Sequence, residues 1–333
     1  MNVIIINKSI FTDHYENYNP KILSNGDIKP LLHNFPYYDF LYNDWSIVYL
    51  EDLLEGDLPL LNKLIQLFES NIKRIMFYRT NTLIKKYFNE IKIWDNIFKI
   101  IFIDDMHDST EIKELKKIDI RFNKYFDLVL FTYNYCATRF FRCIEFNKSI
   151  WFPHAFNTFF DVQYNDDPIN KILISGSTGR TYHMRAKFVE EQNNFPIHVL
   201  PHPGYKSLDH SIIGQKYIDE INKYKIAFTC YSNSKLPYIV SKFFEIPGSG
   251  ALLLAYDLDI KKELEELGFI DMENYISIHK QNFKKKLEWL FDYNNNDEIE
   301  RIRRNGYEFI HSQHTYTHRV LKLMNILNER NPS

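Results

Sequence analysis

Residues 238–255 read YIVSKFFEIPGSGALLLA. The apolar spacing predicts a short helix over Tyr238–Ile246 that stops before Pro247, because proline brings no N–H to the helix ladder. Gly248, Ser249 and Gly250 then open a tight loop. Ala251–Tyr256 follows as an unbroken apolar run, the pattern of a parallel strand covered on both faces. Helix, tight loop and buried strand make one step of a doubly wound α/β sheet.

The same step repeats in both directions. Downstream, the pattern predicts helices over Asp259–Leu267 and Phe283–Tyr293 around a strand at Tyr275–Ile278, and two or three helices within Asp297–Asn328. Upstream, strands are expected at Lys171–Ser177, Ile197–Pro201 and Lys225–Tyr231, with helices at Tyr182–Gln192 and Gly214–Tyr224. Val162–Asn170, VQYNDDPIN, is rich in Asn, Asp and Pro and reads as a linker. Before it, buried strands at Asn2–Asn7, Ser46–Leu50, Lys73–Arg79, Phe98–Asp104 and Phe126–Tyr133 alternate with helical segments such as Leu58–Ser70 and Thr80–Ile91. The fold class expected is α/β: two Rossmann-like, doubly wound domains, 1–160 and 170–312, facing each other across a cleft. A length of 333 residues suits two domains of about 150. Ligands of such sheets bind beyond the carboxyl ends of the strands.

Composition excludes several classes. Hydrophobic residues make up 45% and charged residues 25%, which rules out a disordered chain, a collagen and a small disulfide scaffold. Lys and Arg number 41 against 43 Asp and Glu, a net charge of −2, so nucleic acid is not an expected partner. The cysteines, Cys136, Cys143 and Cys230, are odd in number and lack metal-ligand spacing, which points to buried thiols in a reducing compartment. Met1–Ser9 has no basic leader or small-residue cleavage site, and no apolar run reaches the ~18 residues of a membrane span. The expected location is cytoplasmic, in the host cytoplasm if the protein is viral. There are 27 Phe, 23 Tyr and roughly thirty Asn, a bias that an AT-rich genome writes. Glycine is scarce, 10 in all, so the pairs Gly176/Gly179 and Gly248/Gly250 mark the two loops where backbone most needs to approach a ligand.

Five segments carry candidate chemistry. Ile174–Arg180, ISGSTGR, leaves a strand and precedes a helix. It reads either as a phosphate-facing loop, with Ser175, Gly176, Ser177 and Arg180 near an anion and Arg185 behind them, or as a plain strand–helix turn. It is neither a Walker A loop nor a GxGxxG fingerprint. Glu245, set between Phe243, Phe244 and Ile246, needs a partner if buried; a ribose diol or neighbouring backbone N–H groups would each serve. Asp104–Asp108, DDMHD, ends a strand and offers Asp104, Asp105 and His107 to orient or deprotonate an acceptor hydroxyl, to bind a divalent ion, or as capping and surface groups. His154 and His202 are further candidates beside structural readings. His311–Arg319, HSQHTYTHR, looks metal-like but lacks the glutamate of a zinc protease helix, and a structural role is expected.

Three of these stretches together resemble the GT-B glycosyltransferases, and most closely their group 1 branch of spore-maturation-type, CgeB-like proteins. They are KFFEIPGSGALLLA at 242–255, NG followed by HTYTHR within 305–319, and Tyr182-x-x-Arg185. The resemblance covers roughly 150–325 and implies a nucleotide-sugar glycosyltransferase whose last helix, within 313–333, packs back on the first domain. Carried over, Glu245 would hold the donor ribose, and the N–H groups of Gly248, Ser249 and Gly250 would approach the nucleotide. Arg180, Arg185, Lys235 and Lys242 would neutralise the diphosphate, with Tyr182, His202 and Tyr238 alongside. No metal or other cofactor is implied beyond a UDP-, GDP- or dTDP-sugar co-substrate, and the acceptor would be a glycan, polysaccharide or glycoprotein hydroxyl. The family's earlier glutamate is replaced by Pro237. Two alternatives share the fold: a nucleotide-sugar epimerase, and a non-catalytic sugar- or partner-binding protein.

Overall fold

The computed structural model describes residues 1–6, 22–23, 37–104, 122–134, 148–179, 182–200, 212, 214–231 and 237–330. Asp105, His107, Arg180, His202 and Lys235, with Cys136 and Cys143, lie outside the described residues. The chain divides into two compact units. The first comprises Met1–Pro153 with Val320–Ser333, and the second His154–Arg319.

In the first unit the described elements are β1 (Asn2–Ile6), β2 (Ile22–Leu23), α1 (Tyr37–Leu41), β3 (Trp45–Tyr49), α2 (Leu50–Leu54), α3 (Leu60–Phe68), β4 (Arg74–Tyr78), α4 (Asn81–Ile91), β5 (Phe98–Ile103), β6 (Leu128–Phe131) and β7 (Ser149–Trp151). They form one sheet in the order β2-β3-β1-β4-β5-β6-β7. Every neighbouring pair is parallel except β2 with β3. The five apolar runs expected as strands are strands, because none of them offers a polar face to water. β2 and β7 were not expected: β2 is two residues long, and β7, SIW, is only half-buried.

The second unit holds β8 (Ile169–Ile174), α5 (His183–Glu190), β9 (Ile197–Val199), α6 (Gln215–Asn222), β10 (Tyr224–Cys230), α7 (Lys242–Gly248), β11 (Leu252–Tyr256), α8 (Lys261–Glu266), β12 (Ile276–Ser277), α9 (Phe283–Phe291), α10 (Asn296–Gln313) and α11 (Tyr316–Arg330, which ends in the first unit). Its sheet is parallel throughout, in the order β12-β11-β10-β8-β9. The chain steps from β8 out to β9, then returns to β10 on the other side of β8. That reversal puts the topological switch point between β8 and β10.

Three expectations need correction. Val162–Asn170 is not a free linker but part of the second unit. The Tyr164 ring sits 4.3 Å from the guanidinium carbons of both Arg303 and Arg304, and the Asn165 carbonyl accepts a 2.6 Å hydrogen bond from Arg303. The units meet at Pro153/His154 and Arg319/Val320 rather than near 160–170 and 312. Finally, α7 begins at Lys242 and runs through Pro247. Pro247 brings no N–H to the ladder, and the helix ends one residue later at Gly248.

The Gly248–Gly250 stretch is a helix cap. The Gly250 N–H donates to the Pro247 carbonyl at 2.9 Å and the Ala251 N–H to that of Ile246 at 3.3 Å, with Gly250 at φ +84°. This is a Schellman turn. The Ser249 N–H donates to the Glu245 carbonyl at 2.9 Å, so these groups are spent on the helix and have none left for a nucleotide. Topology gives the same answer: a helix returning from β10 to a parallel β11 ends at the amino edge of the sheet, opposite the ligand edge.

The final helix behaves as the resemblance implies. From Val320 onward α11 belongs to the first unit. There Trp45 Nε1 donates to Met324 Sδ at 3.2 Å, and Arg74 reaches the Leu327 carbonyl at 3.4 Å.

At Gly248 an added Cβ would overlap the Phe156 ring, a rigid neighbour. Gly248→Ala is expected to lower stability by about 1–3 kcal/mol, the usual cost of overpacking. A lower denaturant midpoint at unchanged m-value checks it.

Candidate functional site

The carboxyl ends of β8 and β10 open onto the switch point of the second unit. Ile174 ends β8, and Ser175, Gly176 and Ser177 follow. Ser175 is buried, and its Oγ lies 2.7 Å from the Tyr217 hydroxyl on α6. The Lys242 ammonium, at the start of α7, donates to the same hydroxyl and sits 4.4 Å from the Tyr217 ring centroid. Tyr217 therefore ties the end of β8 to the start of α7.

Arg185 comes from α5 and is 3% exposed. Its Nη1 donates to the Ser177 carbonyl at 3.2 Å and its Nη2 to Thr229 Oγ1 at 3.3 Å, while the guanidinium carbon lies 4.2 Å from the Tyr182 ring centroid. Its Nε is buried without a partner. Gly176 fits between the two cations at φ +89°. A Cβ there would come within 2.8 Å of Arg185 Nη1 and 3.1 Å of Lys242 Cε. Only glycine leaves this backbone open beside both charges.

Glu245 completes the group. It is 4% exposed, and Lys242 Nζ is 3.9 Å from its Oε2. Among the described residues no donor makes a hydrogen bond to its carboxylate. A buried carboxylate in that state has acceptor capacity left for a ligand's hydroxyls. Lys242 faces this carboxylate, and Arg185 stands with Lys242 around Gly176, so two cations gather near one carboxylate and the local charge favours an anion.

Structure thus brings together Ser175, Gly176, Ser177, Tyr182, Arg185, Lys242 and Glu245. Tyr238 and His154 are buried in the same unit. Gly248, Ser249 and Gly250 stand at the opposite edge, as described above. Asp104, at the end of β5 in the first unit, is not a free base. Its oxygens accept from the Tyr78 hydroxyl at 2.6 Å and from Arg79 Nη2 at 2.7 Å and Nε at 3.0 Å. It is a fixed anchor for Arg79, whose backbone adopts φ +52°. Tyr217 and Thr229 were not foreseen, because a Tyr on a helix and a Thr in a strand carry no local mark of a shared partner.

The histidines of 311–319 have separate structural tasks. His311 Nε2 lies 2.9 Å from the Gly248 carbonyl, and His318 Nδ1 lies 2.6 Å from Thr315 Oγ1. His314 is buried against Phe244, Phe269 and Phe309. Among the described residues, no three His, Cys, Asp or Glu side chains gather as a metal site, and no helix is long and apolar enough to cross a membrane.

Residues 180–325 match the family described as glycosyl transferase-like. Among solved structures, the chain is similar to TarM of S. aureus, with a TM-score of 0.55 and 14% identity over 86% of this chain and 60% of TarM. It is also similar to sucrose-phosphate synthase from Thermosynechococcus elongatus, with a TM-score of 0.55 and 12% identity over 98% of this chain and 88% of the synthase. An alpha-glucosyltransferase solved with UDP-glucose and DNA containing an abasic site gives a TM-score of 0.53 and 10% identity, over 85% of each chain. The fold is GT-B. No curated protein sequence matches the chain significantly. The GT-B likeness concerns the fold, and the chain spans only 60% of TarM.

Burial, and secondarily the Arg319 charge, push the His314 imidazole from its ordinary 6.5 down to about 3. The unfolded chain takes up this proton near pH 6.5, the folded one only near pH 3. The stability involved is complete above pH 6.5 and drains away as pH falls toward 3. His314→Gln keeps an acceptor for Arg319 and is expected to flatten the stability–pH slope in that window, by at most about 1.4 kcal/mol per pH unit. Denaturant titrations from pH 7 to pH 3 would measure it. An unchanged slope would refute the buried neutral imidazole.

Proposed function

We propose that the protein is a glycosyltransferase that moves a sugar from a nucleoside-diphosphate donor to an acceptor hydroxyl, without a metal. The observation that carries this reading is the group at the end of β8: Arg185 and Lys242 around Gly176, with the buried Glu245 carboxylate 3.9 Å from Lys242 Nζ. The glycosyl transferase-like match over residues 180–325 supports it, as do GT-B neighbours solved with UDP or UDP-glucose. We place the chain in the CgeB-like branch on the likeness of Tyr182, Arg185 and the 242–255 stretch.

In the reaction proposed, the bond between the anomeric carbon and the diphosphate oxygen breaks as the acceptor oxygen bonds to that carbon. The acceptor hydroxyl passes its proton to the departing diphosphate oxygen, which takes the electron pair of the broken bond. Negative charge builds on the phosphates, where Arg185 and Lys242 would stabilise it in a site already arranged for it. The Gly176 backbone would let the phosphates approach, and Glu245 would accept from the ribose 2′- and 3′-hydroxyls. Asp104, held by Arg79 and Tyr78, is left out of the proton transfer.

UDP, GDP or dTDP is expected to raise the melting temperature by binding the native state. Glu245→Ala should weaken nucleoside diphosphate binding about 10- to 100-fold, in line with hydrogen bonds to a charged group, yet leave the shift with inorganic pyrophosphate in place. Arg185→Gln with Lys242→Met should lose both shifts. A thermal-shift series over these ligands and variants tests the reading. No response to any nucleotide or nucleotide sugar would sink it.

A further inference from the structure

Lys242 and Glu245 share α7 at i, i+3 spacing, which puts the two side chains on one face of the helix. An ammonium and a carboxylate so placed tend to close into a hydrogen-bonded ion pair, and burial strengthens the attraction. They do not close here: Nζ stays 3.9 Å from Oε2, outside hydrogen-bond distance. What holds the ammonium is Tyr217. Lys242 Nζ donates to its hydroxyl and lies 4.4 Å from the centroid of its ring. Tyr217 is itself fixed. It is buried on α6 with Ile218 and Ile221, and its hydroxyl lies 2.7 Å from the buried Ser175 Oγ. Arg185 needs no such restraint. The Ser177 carbonyl and Thr229 Oγ1 accept from it, and among the described residues no carboxylate pairs with it. Of these two cations, Lys242 is the one with a carboxylate competing for it.

We infer that Tyr217 is a positioning residue for the donor diphosphate: its hydroxyl holds Lys242 beside Gly176 and keeps it from closing on Glu245. The inference rests on the glycosyltransferase reading and deepens it. The restraint serves both halves of the donor. An ammonium bonded to Glu245 would have its charge cancelled where the phosphates are to sit. It would also take up the carboxylate lone pairs left for the ribose hydroxyls. The stem of Lys242 already lies against the loop, since a Cβ on Gly176 would come within 3.1 Å of its Cε. Lysine has a flexible four-carbon stem, so a partner that fixes it before the ligand arrives reduces the entropy lost on binding. Tyr217 acts through Lys242 and needs no contact with the donor.

The test is the affinity for inorganic pyrophosphate and for UDP, measured by calorimetry on the full chain. Four proteins are compared: wild type, Tyr217→Phe, Glu245→Gln and the double variant. Phenylalanine keeps the ring and its packing, and a melting curve for each variant checks the fold. Tyr217→Phe should weaken pyrophosphate binding about tenfold, the scale of a hydrogen bond to a charged group. In Glu245→Gln no carboxylate remains to capture the ammonium, so adding Tyr217→Phe there should weaken it by less than about threefold. A hydroxyl with a merely structural task would weaken binding by the same factor in both backgrounds, and that result overturns the inference. An unchanged pyrophosphate affinity in Tyr217→Phe overturns it too, as does a Tyr217→Phe chain that does not fold. The two readings fail separately. A wild type that binds UDP, with equal factors in the two backgrounds, removes only the role of Tyr217. A wild type that binds pyrophosphate but no nucleoside diphosphate removes the glycosyltransferase reading, and the two factors still decide what Tyr217 does to Lys242. A wild type that binds neither removes both.

Discussion

Glu245 is a carboxylate set in a helix whose residues from Phe243 to Gly248 are all buried. That placement constrains the second unit. Phe243, Phe244 and Ile246 must be covered, and β10, β11 and α10 pack around α7 to cover them. A buried carboxylate is costly without positive charge or hydrogen-bond donors nearby. Lys242, one turn earlier, supplies the charge at 3.9 Å, and Tyr217 holds that lysine against the end of β8. Core packing and site geometry are therefore one arrangement, and the donors that the carboxylate lacks are left for a ligand.

The two edges of the parallel sheet explain which glycines matter chemically. In a β-α-β step, the loop after a strand lies at the carboxyl edge, and the loop after a helix lies at the amino edge. Gly176 follows β8 and stands beside Arg185 and Lys242. Gly248 and Gly250 follow α7, where the first makes room for Phe156 and the second supplies the left-handed turn that ends the helix. Both loops hold scarce glycines, and glycine content alone does not distinguish them. Strand direction does.

That distinction also marks how far the sequence could be read. Buried parallel strands were legible because NVIII, RIMFY and FKIIFI offer no polar face, and the two-unit rhythm followed from them. Arg185, Lys242 and Glu245 were singled out through their resemblance to a known motif, and the fold gathers Arg185 and Lys242 around Gly176. Tyr217 was not, since its hydroxyl meets Ser175 and Lys242 across 42 and 25 positions of chain. Asp104 was read as available because a sequence cannot show that Arg79, 25 residues earlier, folds back onto it. Val162–Asn170 was read as a linker for its Asn, Asp and Pro, yet one tyrosine within it, stacked on two arginines, fixes it to α10. Composition reports the average tendency of a segment, and a single anchoring side chain can overrule it.

The arginines of the second unit separate structural charge from ligand-directed charge. Arg303 is 0% exposed, but Glu300 pairs with it at 3.0 Å and the Asn165 carbonyl accepts from it at 2.6 Å. Its charge is met within the protein, and its task is to hold Tyr164 and the 162–168 stretch in place. Arg185 is met only by neutral acceptors, Ser177 and Thr229, at the ligand edge of the sheet. Arg319 is met by a neutral histidine and a distant carbonyl. Arg185 is therefore a buried guanidinium with no carboxylate partner among the described residues, whereas Arg319 is only half-buried and keeps contact with solvent. Charge left over after the internal pairs are counted is thus the physical link between this fold and the anionic ligands proposed for it.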